Sequence, residues 1–449
     1  MRVTPILLAA GLGTRMKSKT PKVLHPVCGQ PMLAFSLAAA QSACTEKPVV
    51  VIGHGAEAVR DYVGDAGRCV VQDSQLGTAH AVLQAESLLR GKSDLVLVTY
   101  ADMPLLRPET LTRLVETQQQ NPGPVTMLTV IAPDPRGFGR VVRAPEGSVQ
   151  AIVEEAVASP EQLSIHELNV GAYCFRGDWL WDGLHRIPVS PKGEYFLTDT
   201  IELAVKAGLP VQAIVTEDQA EIIGINTRIH LAEAEAAMRN RINAAHMLAG
   251  VTLVDSSAVY IQAGVKIGRD TVIWPNTHLE GNTEIGEGCK IGPETVVRDS
   301  FIGDNCKVFK SVVEGAWVEG DVDMGPFAHL RKGARLCKGV HMGNFGEVKD
   351  STLGPGTKIG HFSYIGDAVI GADVNIGAGT ITCNYDGVRK NTTEIGEGTF
   401  IGSDTMLVAP VKIGKRARTG AGAVVTKDVP DETLVVGVPA RPIKKINKE

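Results

Sequence analysis

The stretch Glu284-Ile285-Gly286-Glu287-Gly288-Cys289-Lys290-Ile291-Gly292 holds two beats of a six-residue rhythm. Ile261, Ile267, Ile273 and Leu279 lead into it, and Val297 follows. The rhythm stumbles near Ile302, Val308 and Val312, then resumes at Val318, Met324, Leu330, Leu336, Met342 and Val348. It returns at Leu353, Ile359 and Ile365, and again at Ile395, Ile401, Leu407 and Ile413. A small residue usually follows the apolar one, as in Ile267-Gly268 and Ile413-Gly414. Period six is neither the 3.6 of a helix nor the 2 of a strand. Sustained over this length, it marks a β-solenoid. Each hexad makes one short strand and one turn, three hexads close a triangular coil, and the apolar residue points inward. The solenoid is expected from about residue 251 to 437.

Upstream, Leu231, Ala234, Met238, Ile242 and Ala245 fall at helical spacing, and Gly250 closes the pattern. This predicts a joining helix, either a bare spacer or a packing element. The expected organisation is a domain over 1–227, a linker helix over 228–250 and a solenoid domain over 251–449. A hydrophobic content of 44% and a charged content of 21% are those of a globular protein. The net charge of −5 argues against a nucleic-acid partner, which calls for a basic face. The one basic cluster is the tail from Arg441 to Lys448, which reads either as solvated or as a local phosphate contact. None of the eight Cys sits in C-x-x-C or near a His at zinc spacing, a pattern of free thiols in a reducing cytosol. The opening run Met1 to Ala10 is too short to span a membrane and lacks a signal-peptide layout. The expectation is a cytoplasmic protein with no membrane partner.

Apolar runs at residues 3–10, 48–53 and 94–99 alternate with helical patterns such as Leu111 to Gln120. This predicts an α/β, Rossmann-like doubly wound domain. Ligands in such sheets lie beyond the carboxyl ends of the strands, so useful residues are expected after 10, 52 and 99. The first of these loops runs Leu8-Ala9-Ala10-Gly11-Leu12-Gly13-Thr14-Arg15-Met16, continuing to Pro21-Lys22. Gly11 and Gly13 let backbone N–H groups approach phosphate oxygens, and Arg15 and Lys22 add positive charge. A tight structural turn is the other reading. A dinucleotide fingerprint needs a third Gly where Met16 stands, and a P-loop needs Gly-Lys-Ser/Thr. Asp102, straight after an apolar strand, is placed to hold Mg²⁺, which takes one or two carboxylates plus substrate phosphates.

The run from Leu8 to Lys22 resembles the opening signature of the sugar-1-phosphate nucleotidylyltransferases. Nearly the whole chain is similar to the branch of that family that joins two activities. These are N-acetylglucosamine-1-phosphate uridylyl transfer from UTP and glucosamine-1-phosphate N-acetyl transfer from acetyl-CoA. The resemblance implies that Leu8, Ala9, Ala10, Gly11, Gln72, Gly77 and Thr78 bracket the uracil and ribose, and that Arg15 and Lys22 are catalytic through the phosphates. It places Tyr100, Ala101 and Asp102 at the nucleotide. Ala101 stands where the family carries Gly, which puts a methyl beside the ligand. Gly139, Glu154 and Asn169 are implied at the sugar, with Val170 replacing a Thr. Gly193 to Asp199 matches a block that orders the sugar pocket. Asn226 is implied as the second protein ligand of Mg²⁺, although a lone Asn at a helix start also reads as an N-cap.

In the solenoid, Arg331 and Lys349 are eighteen residues apart and are expected to stack on successive coils. Like charges stacked without a partner are unfavourable, so an anionic ligand is called for. The rhythm breaks at Thr380 to Asn391, and loops inserted in solenoids often sit on the binding face. The resemblance supplies glucosamine-1-phosphate as the anion, held by Arg331, Lys349, Tyr364, Asn375 and Lys390. It makes His361 the general base, a task that suits an imidazole near neutrality. Asn384 and Tyr385 are implied at the thioester, Ala378, Ser403 and Ala421 along the coenzyme A channel, and Arg441 at a phosphate. His329 and Gly346 depart from the family's Arg and Val. The resemblance further implies a left-handed coil and a homotrimer assembled through it. Three other readings stand beside it, one of which keeps both activities with a different sugar or nucleotide. A single-activity nucleotidylyltransferase with a passive solenoid leaves His361, Asn384 and Tyr385 unexplained, and a non-catalytic scaffold leaves Arg15, Lys22 and Asp102 unexplained.

Overall fold

Val3–Ala9 is buried at all seven positions, as a strand covered on both faces must be. In the computed structural model it lies between Val49–Ile52 and Leu95–Tyr100, parallel to both. Residues 1–190 and 193–445 are described. The masked segments include Lys448 of the basic tail, which lies outside the described residues. The main sheet runs in the order 211–216, 125–131, 167–176, 95–100, 3–9, 49–52 and 68–71. Glu167–Arg176 is antiparallel to both of its neighbours, so the sheet is mixed. The hairpin of Arg140–Arg143 and Val149–Val153 hangs from it through Leu168.

The chain divides into two compact units, Met1–Met238 and Arg239–Glu449. The helix Arg228–Leu248 contributes to each. Its later half is a packing element. Ile242 rests on the solenoid core, and the Asn243 amide donates to the carbonyls of Ser256 (2.8 Å) and Val259 (3.1 Å).

The second unit is a parallel β-helix with sheets of 12, 10 and 9 strands. Ile267 stacks on Ile285, Ile285 on Ile302, and Ile302 on Val318. The stumble in the rhythm is a shortening of the coil. Val297 pairs with Val313, sixteen residues on, and Val313 rather than Val312 points inward. Corners are closed by two devices. Buried hydroxyls satisfy carbonyls left over at the bends, as from Thr283 to Glu280 (2.6 Å) and from Thr399 to Gly396 (2.7 Å). Glycine permits close coil stacking: a Cβ on Gly377 meets the Ser403 nitrogen at 2.5 Å, and one on Gly396 meets the Lys415 nitrogen at 2.6 Å. The described part of the tail is solvent-exposed, as in the solvated reading, but its backbone is ordered as a strand. Arg441–Lys445 pairs antiparallel with Thr433–Val436 and covers the open edge of the 12-stranded sheet.

Each coil rests on its neighbours alone, so a cavity in one coil loosens the stack locally. Leu330 is fully buried between Val313 and Val348. Leu330→Ala is expected to cost about 3 kcal/mol. Denaturant unfolding that resolves the two units should show the loss in the solenoid transition only.

Candidate functional site

Two adjoining cavities open beyond the carboxyl ends of the first unit's strands. One, of about 480 Å³, is lined by Leu8, Ala9, Ala10, Gly11, Lys22, Gln72 and Gly77. The other, of about 450 Å³, is lined by Gly139, Glu154, Asn169, Val170, Thr198 and Asn226. Arg15, Thr78, Tyr100 and Asp102 belong to both and form the seam. The loop after 52 lines neither cavity, contrary to expectation. Gly53 is there for packing, since a Cβ on it meets the Ala10 carbonyl oxygen at 2.8 Å. The strand Arg68–Val71 supplies the missing loop instead, through Gln72.

Local geometry explains the glycines. A Cβ on Gly11 meets nothing in the protein within 4 Å, so the space it leaves faces the cavity. Gly77 has φ of 100°, and a Cβ there strikes the Tyr195 carbonyl oxygen at 2.4 Å. The Gly193 to Asp199 block therefore clamps the Gly77 loop. Tyr195 N–H donates to the Leu76 carbonyl (2.8 Å), and Leu197 N–H donates to Thr78 Oγ1 (2.9 Å). Gly171 has φ of 86°, and a Cβ there meets Cε2 of Tyr100 at 2.4 Å. Burial pushes the Tyr100 phenol up, the charges of Asp102 and Glu154 add to this, and its hydrogen bond with Thr78 opposes it. Asn169 is held by the Tyr173 hydroxyl at 2.7 Å and by the Gly171 N–H at 3.2 Å. Ala101 needs correction. Its methyl is fully buried, its carbonyl accepts from Ser36 (3.2 Å), and it lines neither cavity, so it does not crowd a ligand.

The seam holds a convergence of oxygen donors. The Lys22 ammonium bonds both an Asp102 carboxylate oxygen and Asn226 Oδ1, the latter at 3.2 Å. Lys22 thus bridges these two side chains at the wall of the first cavity. One nitrogen reaching both oxygens shows that they face a common point. Among the described residues no cluster of three His, Cys, Asp or Glu could hold a metal. One carboxylate and one amide, both oxygen donors, match an ion that draws its other ligands from phosphate and water.

On the solenoid, Arg331 and Lys349 stack as expected, in register with Leu330 over Val348. The argument from unpartnered charge is corrected. Arg331 pairs with Glu347 at 2.9 Å, and Lys349 lies 3.5 Å from Asp350. Lys390 joins them from the inserted loop, 3.9 Å from Asp367. Contact with Lys349 is the main cause that holds Lys390 below the usual lysine range, and the same contact raises Lys349. The insertion lengthens the coil to twenty-five residues, from Ile376 to Ile401. Asn384 is buried, its amide donates to Asp367, and it reaches Gly366 beside the Tyr364 hydroxyl. Tyr385 is exposed and donates to the Gly387 carbonyl (2.7 Å). Asn375 sits on the 12-stranded sheet, whereas Arg331, Lys349 and Tyr364 lie on or beside strands of the 10-stranded one.

His361 is exposed at the corner between those two sheets, and it has no hydrogen-bond partner among the described residues. Ala378, Ser403 and Ala421 continue that corner coil by coil. Asp404 N–H donates to the Ala378 carbonyl and Gly422 N–H to the Ser403 carbonyl. Below His361 the same corner carries Phe327 and Phe345, both exposed and at φ of 60° and 58°, with rings 5.2 Å apart. Both departures in this region have partners. His329 lies 3.3 Å from Glu314, and Met342 Cε fills the space at Gly346, 3.0 Å from where a Cβ would stand. Asp367 was not singled out from sequence, although its place after Ile365-Gly366 marks a corner. The phenylalanine corner was missed because it falls outside the inward rhythm.

A model of the MobA-like NTP transferase domain matches residues 5–154. A model of the bacterial transferase hexapeptide, six repeats, matches 264–299 and 392–427. The chain is 48% identical to the bifunctional protein GlmU of Heliobacterium modesticaldum, over 96% of this chain and 95% of that one. It is 45% identical to that of a Geobacillus species over 99% and 96%, and 46% identical to that of Pelobacter propionicus over 97% and 95%.

Burial raises the Glu154 carboxyl, partly offset by Thr198. A raised carboxyl opposes folding above its folded pKa, and the penalty vanishes as the pH falls below the unfolded value. Glu154→Gln is therefore expected to raise the Tm of the first unit at pH 7. The gain should shrink as the pH falls through the carboxylate range, which thermal scans at several pH values will register.

Proposed function

The chain belongs to the bifunctional GlmU family, and we propose from that premise how its residues divide the family's two reactions. The protein is a two-activity transferase of UDP-N-acetylglucosamine synthesis. It transfers acetyl from acetyl-CoA to glucosamine-1-phosphate, and UMP from UTP to N-acetylglucosamine-1-phosphate. Its fold joins an α/β nucleotidyltransferase unit to a left-handed β-helix of hexapeptide repeats. The proposed domain limits are 1–227 and 251–449, with the helix between them.

Uridylyl transfer is assigned to the seam between the two cavities. The nucleotide lies along Leu8 to Gly11, Gln72, Gly77 and Thr78, and the sugar lies against Gly139, Glu154 and Asn169. The sugar phosphate oxygen attacks the α-phosphorus of UTP, the bond to the β-phosphate oxygen breaks, and pyrophosphate leaves. Positioning and charge carry such a reaction without a protein nucleophile. Arg15 and Lys22 hold phosphate oxygens, and Tyr100 walls the seam. Asp102 and Asn226 hold Mg²⁺, which when bound neutralises phosphate charge. The observation that carries this reading is the meeting of Asp102 and Asn226 on one point where both cavities join.

Acetyl transfer is assigned to the corner at His361. Arg331, Lys349 and Lys390 take the sugar phosphate in place of Glu347, Asp350 and Asp367. Tyr364 meets the amino sugar, and Asn384 orients the thioester. The amine attacks the thioester carbonyl, His361 takes the amine proton, and the coenzyme A thiolate leaves. The corner turns from phenylalanine to Ala378, Ser403 and Ala421 at this level, which admits a thin pantetheine arm. Asn375, Tyr385 and Arg441 complete the site, Asn375 from the adjacent face. Asp102→Ala should lower UDP-sugar formation at least about a hundredfold and spare acetyl transfer. His361→Ala should do the reverse, by at least about a hundredfold. Separate assays of each half-reaction give the result, and a loss of both activities in either variant counts against the division.

A homotrimer in the cytoplasm is the proposed assembly. Phe309, Phe327, Phe345 and Phe362 stand 44–58% exposed along the corner that bears His361. A bulky side chain at positive φ is strained, and a row of exposed rings is costly unless covered. Copies of the chain set around this corner cover the rings, and the neighbour then completes the acetyl site. Phe345→Asp should yield monomers in light scattering, with acetyl transfer lost and uridylyl transfer kept.

A further inference from the structure

A third cavity, of about 290 Å³, adjoins the nucleotide and sugar cavities of the first unit. Gly11, Gly13, Arg15, Lys22, Gln75 and Asn226 line it. It shares Gly11, Arg15, Lys22 and Gln75 with the nucleotide cavity, and Arg15 and Asn226 with the sugar cavity. Its lining differs from theirs in charge. Asp102 walls both larger cavities, joined by Glu194 in one and Glu154 in the other, whereas no carboxylate lines the third. Two cations and two side-chain amides do, beside the backbone of the glycine loop. That loop is pressed onto Lys22, since a Cβ on Gly13 meets Lys22 Cβ at 2.8 Å. Such a lining suits a compact anion with several oxygens. Of the residues from 72 to 78, Gln75 alone reaches this cavity. The backbone beside it is held, because Leu76 N–H donates to the Ser74 carbonyl (2.8 Å) and the Leu76 carbonyl accepts from Tyr195 (2.8 Å). The Gln75 side chain is exposed and has no hydrogen-bond partner among the described residues, so its amide can meet a ligand without breaking an internal bond.

We propose that Gln75 is a further binding residue for uridylyl transfer, its amide nitrogen donating to the terminal phosphate of UTP and then to the departing pyrophosphate in the third cavity. This rests on the uridylyl-transfer reading of the seam. In-line displacement sets the incoming and leaving oxygens on opposite sides of the α-phosphorus. The sugar phosphate enters from its own cavity, so the β- and γ-phosphates lie away from it. The third cavity meets the seam at Arg15 and has the lining for them. When the bond from the α-phosphorus to the β-phosphate oxygen breaks, its electron pair stays on that oxygen. The added negative charge meets Arg15, Lys22 and the Gln75 amide. The other product, UDP-N-acetylglucosamine, fills the nucleotide and sugar cavities and has no group for the third. Gln75 therefore acts on the triphosphate and on pyrophosphate, and not on the UDP-sugar.

The test runs the reaction backwards, from UDP-N-acetylglucosamine and pyrophosphate with Mg²⁺, in full-length wild type, Gln75→Ala and Gln75→Glu. The readouts are the KM for each of the two substrates and, in the forward direction, the KM for UTP. Gln75→Ala should raise the KM for pyrophosphate at least about fivefold and keep that for UDP-N-acetylglucosamine within about twofold. Gln75→Glu is isosteric and sets a carboxylate against the anion, so it should raise the KM for pyrophosphate at least about twentyfold. The KM for UTP should rise in both variants. Acetyl transfer at the wild-type rate and an unchanged Tm show that each variant is folded. KM values for pyrophosphate and UDP-sugar that rise together, or a KM for pyrophosphate that stays at the wild-type value in either variant, overturn the inference. A wild-type chain that neither makes UDP-N-acetylglucosamine nor cleaves it with pyrophosphate instead overturns the uridylyl-transfer reading on which it rests.

Discussion

The stacking of inward aliphatic side chains in the β-helix is the constraint on which the second unit depends. Ile285 on Ile302 on Val318 leaves one coil spacing between backbones, and every corner must fit within it. That spacing excludes a Cβ at positions such as Gly377 and Gly396 and demands a hydroxyl where a bend strands a carbonyl. It also turns sequence distance into spatial order. A residue sixteen to eighteen along the chain stands directly above, so Arg331 meets Lys349 without any long-range search. The insertion before Asn391 is tolerated because it leaves the inward positions Ile376 and Ile401 in register.

The first unit solves a different problem. Its strands end together, so loops distant in sequence share one rim. Lys22, Asp102 and Asn226 come from three such places and meet within hydrogen-bond reach. Glycines at 77 and 171 are needed because backbone or ring from another segment occupies the space a side chain would take. The rim is therefore closely packed at these two points, and its shape depends on segments far from the glycine loop, such as Tyr195.

Charge is handled in the same way at both sites. Cationic groups are held by nearby carboxylates in this state: Lys22 by Asp102, Arg331 by Glu347 and Lys390 by Asp367. Each of these pairs lies where a phosphate is proposed to bind. Such pairs keep the cations aligned, and the exposed ones are weak enough to be exchanged for a ligand oxygen.

The six-residue rhythm was sufficient to predict the solenoid, because an inward aliphatic ladder has no other periodicity. The apolar strand followed by Gly11, Arg15 and Asp102 was sufficient to predict an α/β sheet with a cavity at these residues. The joining helix was equally legible from its stripe. Other features depend on contacts between distant segments and were not legible. The antiparallel Glu167–Arg176 strand, the inward turn of Ala101, and the carboxylates that partner Arg331 and Lys390 all follow from which surface lies opposite. The pairing of the tail with Thr433–Val436, the phenylalanine corner and the place of Gln75 across a cavity from the glycine loop belong to the same class. A local pattern reports which face of an element is apolar, and only the folded chain decides what that face, or a polar side chain beside it, will touch.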